Sequence, residues 1–131
     1  MVVRTEATRL DEFEGIVESV ELEIGLEDRK QYHLVINPTS LKVGGATGRI
    51  HEWIPVSPKS TEEQVPQGSV MDRYLTQVEI CVTGAKTAKT IKEELGMMVG
   101  KKFKFKKIKL GKDFNNNPAK EYAVPVMLLV K

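Results

Sequence analysis

The chain has 131 residues, 40% of them apolar and 29% charged, and carries a formal net charge of +2. That length suits one domain with a single core burying roughly two thirds of its unfolded surface, and no run approaches the ~20 apolar residues of a membrane helix. The lone Cys81 excludes an internal disulfide, and the opening MVVRTEATRLDEFEG lacks the apolar core of a signal peptide, so a soluble cytoplasmic domain spanning residues 1–131 is expected.

Charge is unevenly spread. Residues 1–65 hold 7 Lys/Arg against 12 Asp/Glu, whereas residues 66–131 hold 13 against 6. The basic half suggests a positive surface turned toward an anion, the alternative being a plain excess of solvated lysine.

In chain order, FEGIVESVELEI (13–24) places Phe13, Gly15 and Val17 on one parity and Ile16, Val20, Leu22 and Ile24 on the other, which predicts a long strand kinked near Gly15 or Ser19. GLEDRK is a turn, and QYHLVIN (31–37) is a second strand with Tyr32, Leu34 and Ile36 inward. Residues 39–69, with VGGATGR, IHEWIPVS and a proline-punctuated polar stretch, read as an insertion, a protruding hairpin with a long return loop. SVMDRYLTQVEICV then predicts a helical turn over 70–75 and a third core strand with Val78, Ile80 and Val82 inward; Cys81 within it reads as a buried small hydrophobe rather than a nucleophile. In TGAKTAKTIKEELGMMVG the spacing of Ala88, Ile91, Leu95 and Met98 predicts a helix with Thr87 as N-cap, ended by Gly96 and Gly100.

The decapeptide KKFKFKKIKL (101–110) predicts a fourth strand. Phe103 and Phe105 share one parity and Ile108 and Leu110 the other, so a bulge near Lys106 and Lys107 is expected, with the phenyl rings in the core and Lys102, Lys104 and Lys106 along the exterior. GKDFNNNPAK is a loop, and EYAVPVMLLVK is a fifth strand in which Pro125 implies a bulge or an edge.

The helix thus falls between the third and fourth core strands. In this order the chain resembles the oligonucleotide/oligosaccharide-binding (OB) fold, a mainly β, five-stranded Greek-key barrel with one helix between strands 3 and 4. The likeness covers residues 13–130, with 39–69 as an inserted hairpin or loop between strands 2 and 3. LGMMVGKKFKFKKIKLG looks like the helix-end, glycine, strand-four passage of single-stranded-DNA-binding domains of the replication protein A type.

This resemblance implies a ligand lying across strands 2 and 3 and between the loops joining strands 1–2 and 4–5. On this sequence those positions are Arg29, Lys30, His33 and Gln77 on the sheet side, and Lys112, Phe114, Asn115, Asn116, Asn117 and Lys120 in the last loop. Phe114 is the stacking candidate there, unless its ring anchors the loop. Trp53, with Lys42, Arg49 and His51 near it in sequence, either closes over a strand or packs the insertion on the barrel through Trp53, Ile54 and Val56. The pattern departs from the family where Glu79 would repel phosphate and where no clear aromatic faces outward on strand 3.

Catalytic chemistry has little to draw on. His33 and His51 are the only histidines, no Cys or His/carboxylate spacing suits a metal, and neither VGGATGR nor TGAKTAKT forms a phosphate loop. No enzymatic activity and no cofactor are expected. Two functions follow: sequence-tolerant binding of single-stranded DNA or RNA, with Lys102, Lys104, Lys106, Lys112 and Lys120 holding phosphates, or a non-catalytic interaction module that meets a partner protein or a second copy through residues 39–69.

Overall fold

Alternating burial along extended segments builds the sheet in the computed structural model, which describes residues 12–39, 48–110 and 120–130. Strand β1 is Glu12–Ile24, β2 Lys30–Pro38, β3 Ile50–Pro55, β4 Lys102–Lys109 and β5 Glu121–Val130, with helices α1 (Val70–Cys81) and α2 (Ile91–Gly96) between β3 and β4. The five strands form one sheet of order β3-β2-β1-β4-β5, every neighbouring pair antiparallel. Lys42, Lys112, Phe114, Asn115, Asn116 and Asn117 lie outside the described residues.

The two apolar parities of the first strand have one cause. A bulge between Val17 and Ser19 shifts the β1–β2 register, so the inward set changes from Phe13, Gly15 and Val17 to Val20, Leu22 and Ile24. Gly15 lies close to, but not at, this bulge; it permits close approach, because a Cβ there would sit 2.6 Å from Ile36 Cγ2. The β1–β2 turn is a short 3-10 segment, Leu26–Asp28, closed by the Gly25 N–H donating to the Arg29 carbonyl at 2.7 Å. Asp28 takes the left-handed conformation with φ 56°, which a short polar side chain tolerates.

The expected insertion 39–69 holds a strand of the main sheet among its described residues. Ile50–Pro55 within them pairs with β2 from Gln31 to Ile36 as an integral sheet strand. The expected third core strand is instead α1. Met71, Tyr74, Leu75 and Val78 are its buried residues, at the three- and four-residue spacing of one helical face, and Ile80, expected inward, is 69% exposed. The β-branched residues Val70, Thr76, Val78 and Ile80 favour extended structure locally, but the start signal overrides them: the Ser69 hydroxyl accepts from the Asp72 N–H at 3.2 Å while the Asp72 carboxylate accepts from the Gly68 N–H at 2.8 Å. The second helix is shorter than its spacing predicts. Thr90, not Thr87, caps it, accepting from the Glu93 N–H at 3.1 Å, whereas Thr87 ends a separate 3-10 turn and donates its hydroxyl to the Gly84 carbonyl.

Phe103 and Phe105 are fully buried, as the parity of β4 requires. No register shift occurs near Lys106 and Lys107; alternation continues, and Lys107 takes the inward parity. The irregularities fall on β5, where the partner changes from Pro125 to Met127 between Phe105 and Lys104 and from Leu128 to Val130 between Phe103 and Lys102. The expected bulge or edge at Pro125 is therefore present as both.

Strands β3 and β5 are the two edges of the sheet, with no ladder between them among the described residues. A side chain joins them: buried Glu52 of β3 accepts from the Ala123 N–H of β5 at 3.0 Å and from Lys107 Nζ at 3.3 Å. From below, the Tyr74 hydroxyl of α1 donates to the Ala123 carbonyl at 3.0 Å, and the half-buried Cys81 thiol donates to the Pro125 carbonyl. Burial pushes the Tyr74 hydroxyl well above its ordinary pKa, and the Glu52 charge adds to the rise. Between α1 and α2, the buried Glu94 carboxyl shares a hydrogen bond with Glu79; burial first, and this neighbour second, push it up to about 8, and its Oε1 has no partner among the described residues. Among the described residues no helix is long and apolar enough to cross a membrane.

Replacing Glu52 with Ala leaves a buried amide and Lys107 without their acceptor, so chemical denaturation should show a loss of about 2–3 kcal/mol, against a smaller loss for Glu52→Gln, which keeps an acceptor oxygen. Glu94 makes stability pH-dependent in the opposite sense to a salt-bridged carboxylate. An unfolded glutamate titrates near ~4.3; below that both states are protonated, and stability falls as pH rises toward about 8 because folding then holds a carboxyl neutral that the unfolded chain ionises. Glu94→Gln should flatten this decline and stabilise the protein at pH ~8 by about 1–3 kcal/mol, as read from denaturation series across pH.

Candidate functional site

The outer face of β2 and β3 is built by the residues that alternate with the core set. Tyr32, Leu34 and Ile36 of β2 and Ile54 of β3 are buried, which turns His33 of β2 and His51 and Trp53 of β3 to the opposite side. His33 pairs with Trp53 in the ladder, and His51 is opposite the next β2 residue, Val35. The three rings therefore lie together. His33 and Trp53 stack with centroids 4.6 Å apart and planes 10° from parallel; His33 and His51 are 5.0 Å apart at 25°, and His51 and Trp53 5.8 Å apart at 18°.

Glu23 of β1 orients this row. Its Oε2 lies 2.6 Å from His33 Nδ1, and its Oε1 accepts from Trp53 Nε1 at 3.4 Å. His33 Nε2 lies 2.7 Å from His51 Nδ1. With neutral rings the carboxylate selects the tautomer that carries its proton on His33 Nδ1, so His33 Nε2 accepts from the His51 Nδ1–H. Trp53 is 37% exposed, leaving part of its indole available above this network.

Cations border the row. Arg29 and Lys30 line a cleft of about 750 Å³ with Gln31, Pro55 and Val56 at the turn end of the strands. At the other end Arg49 pairs with Glu18, the bulge residue of β1. On the adjoining strand Lys102, Lys104 and Lys106 do share the exterior face, but across from carboxylates: Lys102 Nζ lies 3.9 Å from Glu14, Lys104 Nζ lies 3.8 Å from Glu12, and Lys106 faces Glu12 in register. These exposed pairs are worth about 0–1 kcal/mol each, so they leave the lysines available to a competing anion while lowering the local positive charge.

One expected position falls elsewhere. Gln77 belongs to α1, because the segment holding it is a helix and not strand 3; Lys120 lies in the β4–β5 connection where it was expected, just before β5 and over the Tyr122 ring at 5.3 Å. Tyr32 faces inward as expected; its hydroxyl donates to Glu62 Oε1 at 2.5 Å, and burial with this neighbour raises its pKa. The alternatives for Trp53 also separate by parity. Ile54 is fully buried and Val56 half-buried, while Trp53 points to the outer face.

The sequence places His51 only near Trp53 in the chain, and Glu23 is not among the residues expected at the ligand face. The signal for His51 is the HEW spacing, which puts it on the same strand face as Trp53; that for Glu23 depends on a register reached only after the β1 bulge. No protein-family model and no curated protein sequence match this chain.

Proposed function

We propose that the chain is an OB-type domain that binds single-stranded nucleic acid, DNA or RNA, with little sequence preference on the outer face of β2 and β3. The strand order, with α1 between β3 and β4, supports the fold reading, and so does the approach of the two sheet edges through Glu52. A Greek-key barrel of this kind uses the outer face of its second and third strands for ligands. The observation that carries the functional reading is the contiguous row of three near-parallel rings on that face.

Aromatic platforms bind every base through its π-face, at about 1–3 kcal/mol per stacked base. Arg29, Lys30 and Arg49 stand at the two ends of the row, where a backbone crossing the strands would place phosphates, and Lys102, Lys104 and Lys106 extend the positive charge across β1. Because Glu12, Glu14 and Glu18 lie among these cations, stacking supplies most of the affinity and phosphate attraction the smaller share. The interaction-module alternative rests less on residues 39–69, whose Ile50–Pro55 segment is engaged in the sheet, than on apolar residues exposed along β1.

Trp53 is the only tryptophan in the chain, so its fluorescence reports on the site directly. Titration with matched single-stranded DNA, single-stranded RNA and duplex at two salt concentrations should quench or shift this emission with the single strands and far less with duplex. The salt slope should correspond to few phosphates, at about 0.7 per contact. His33→Ala should weaken binding by roughly tenfold or more through the lost stacking surface, whereas Lys104→Ala should change mainly the slope. No binding of any of the three nucleic acids at low salt defeats the reading.

A further inference from the structure

Strand β1 is paired on both sides only through its first part. Toward β4 the ladder covers Glu12 to Ile16, and it ends where the Val17 N–H donates to the Lys101 carbonyl at 3.2 Å and the Gly100 N–H to the Val17 carbonyl at 2.8 Å. From residue 18 to 24 the strand is held by β2 alone among the described residues. The Gly25 N–H to Arg29 carbonyl bond fixes the phase of that ladder: every second residue back from it, Glu23 and Glu21, turns its backbone groups to β2. Val20, Leu22 and Ile24 then turn theirs to the open edge.

The same residues carry apolar side chains on the inner face. Leu22 is 44% exposed and Ile24 63% exposed, although they continue the core-facing parity, because the hairpin extends past the body that would cover it. Val20, Leu22 and Tyr32 line a cleft of about 480 Å³ closed by Glu62, Thr90 and Lys92. Of the features that discourage strand addition, this edge carries the bulge at Glu18 and the charges of Glu21 and Glu23, and it lacks proline and lysine along residues 18–24.

We infer that this edge of β1 takes up an extended segment of a partner protein whose sequence alternates apolar and basic residues. Strand addition provides the missing backbone partners, and alternating pockets select the side chains. Apolar residues on the inner face enter the cleft beside Val20 and Leu22. Those on the outer face stand next to exposed Glu21 and half-exposed Glu23, which favours lysine or arginine. The same charges disfavour a second copy of this chain. Pairing β1 with its symmetry mate while keeping inner face against inner face sets Glu21 opposite another Glu21 or Glu23, and like charges directly opposite are destabilising.

The test uses two capped heptapeptides, one alternating valine and lysine and one alternating valine and glutamate, with amide hydrogen exchange of the full chain followed by NMR. In the free protein Leu22 and Ile24 amides should exchange rapidly while those of Glu21 and Glu23 are protected. The valine–lysine peptide should slow Leu22 and Ile24 by at least tenfold and the valine–glutamate peptide should not; Glu21→Lys should narrow or reverse that preference. Equal protection by both peptides, or none by either at millimolar concentration, overturns the inference. Protection of these amides without peptide, together with a dimer in sedimentation, overturns it in favour of self-pairing. Trp53 emission during oligonucleotide titration is an independent readout, so either reading can fail without the other.

Discussion

Glu52 is the point on which the two halves of the sheet meet. β3 reaches the rest of the sheet through β2, and β5 reaches it through β4, so the ends of the order come together only as far as something spans them. A buried carboxylate does so, taking an amide of β5 and the ammonium of Lys107 on β4. Burying such a charge costs several kcal/mol unless its lone pairs are satisfied. Both of its bonds come from Oε2, and the position of Lys107 at the end of the inward parity of β4 supplies the countercharge. Tyr74 then binds the carbonyl of the same Ala123 from α1, so one residue of β5 ties helix, edge strand and far edge together. The raised pKa of Tyr122, from burial first and the Glu52 charge second, reflects the same negative group.

The inner face is committed to the core and to this contact between β3 and β5, and strand identity stripes the outer face. β2 and β3 carry rings, β1 carries carboxylates and β4 carries lysines. The acidic stripe between the aromatic and basic ones lowers long-range attraction for a polyanion. It also holds the platform in place, since Glu23 is bonded to both His33 and Trp53. A polar anchor of this sort fixes ring orientation in the free protein, and a ligand stacking on this face, as proposed, would meet a preorganised surface.

Strands with clean alternation were legible from the amino acids. The β1–β2 hairpin, the inward rings of Phe103 and Phe105, the inward Tyr32 and the irregularity at Pro125 all follow from period-two patterning and the missing proline N–H. α1 was not, because Val70, Val78, Ile80 and Val82 satisfy a strand pattern over the same residues that Met71, Tyr74, Leu75 and Val78 satisfy for a helix; the Ser69–Asp72 cap decides, and it is a signal of two residues. The strand pattern puts Gln77 beside the ligand face and Ile50–Pro55 inside an insertion, and the helix removes both expectations. Lys107 escaped for a different reason. Local parity marks a charged residue as outward, and nothing near it in sequence announces a buried Glu52 fifty-five positions earlier.

The bulge at Glu18 connects these observations. Without it the parity of Phe13 and Val17 would run on, turning Glu21 and Glu23 toward the core side and Leu22 and Ile24 to the outer face. By inserting one residue, β1 keeps its first half against β4 and delivers Glu23 to the outer face, beside His33. The hairpin that does this is held on one side beyond residue 17, by β2 and the Gly25–Arg29 closure. The orientation of the aromatic row therefore depends on the rigidity of an arm whose opposite edge has no strand partner among the described residues, and the same register that positions Glu23 for the rings turns the amides of Val20, Leu22 and Ile24 away from β2.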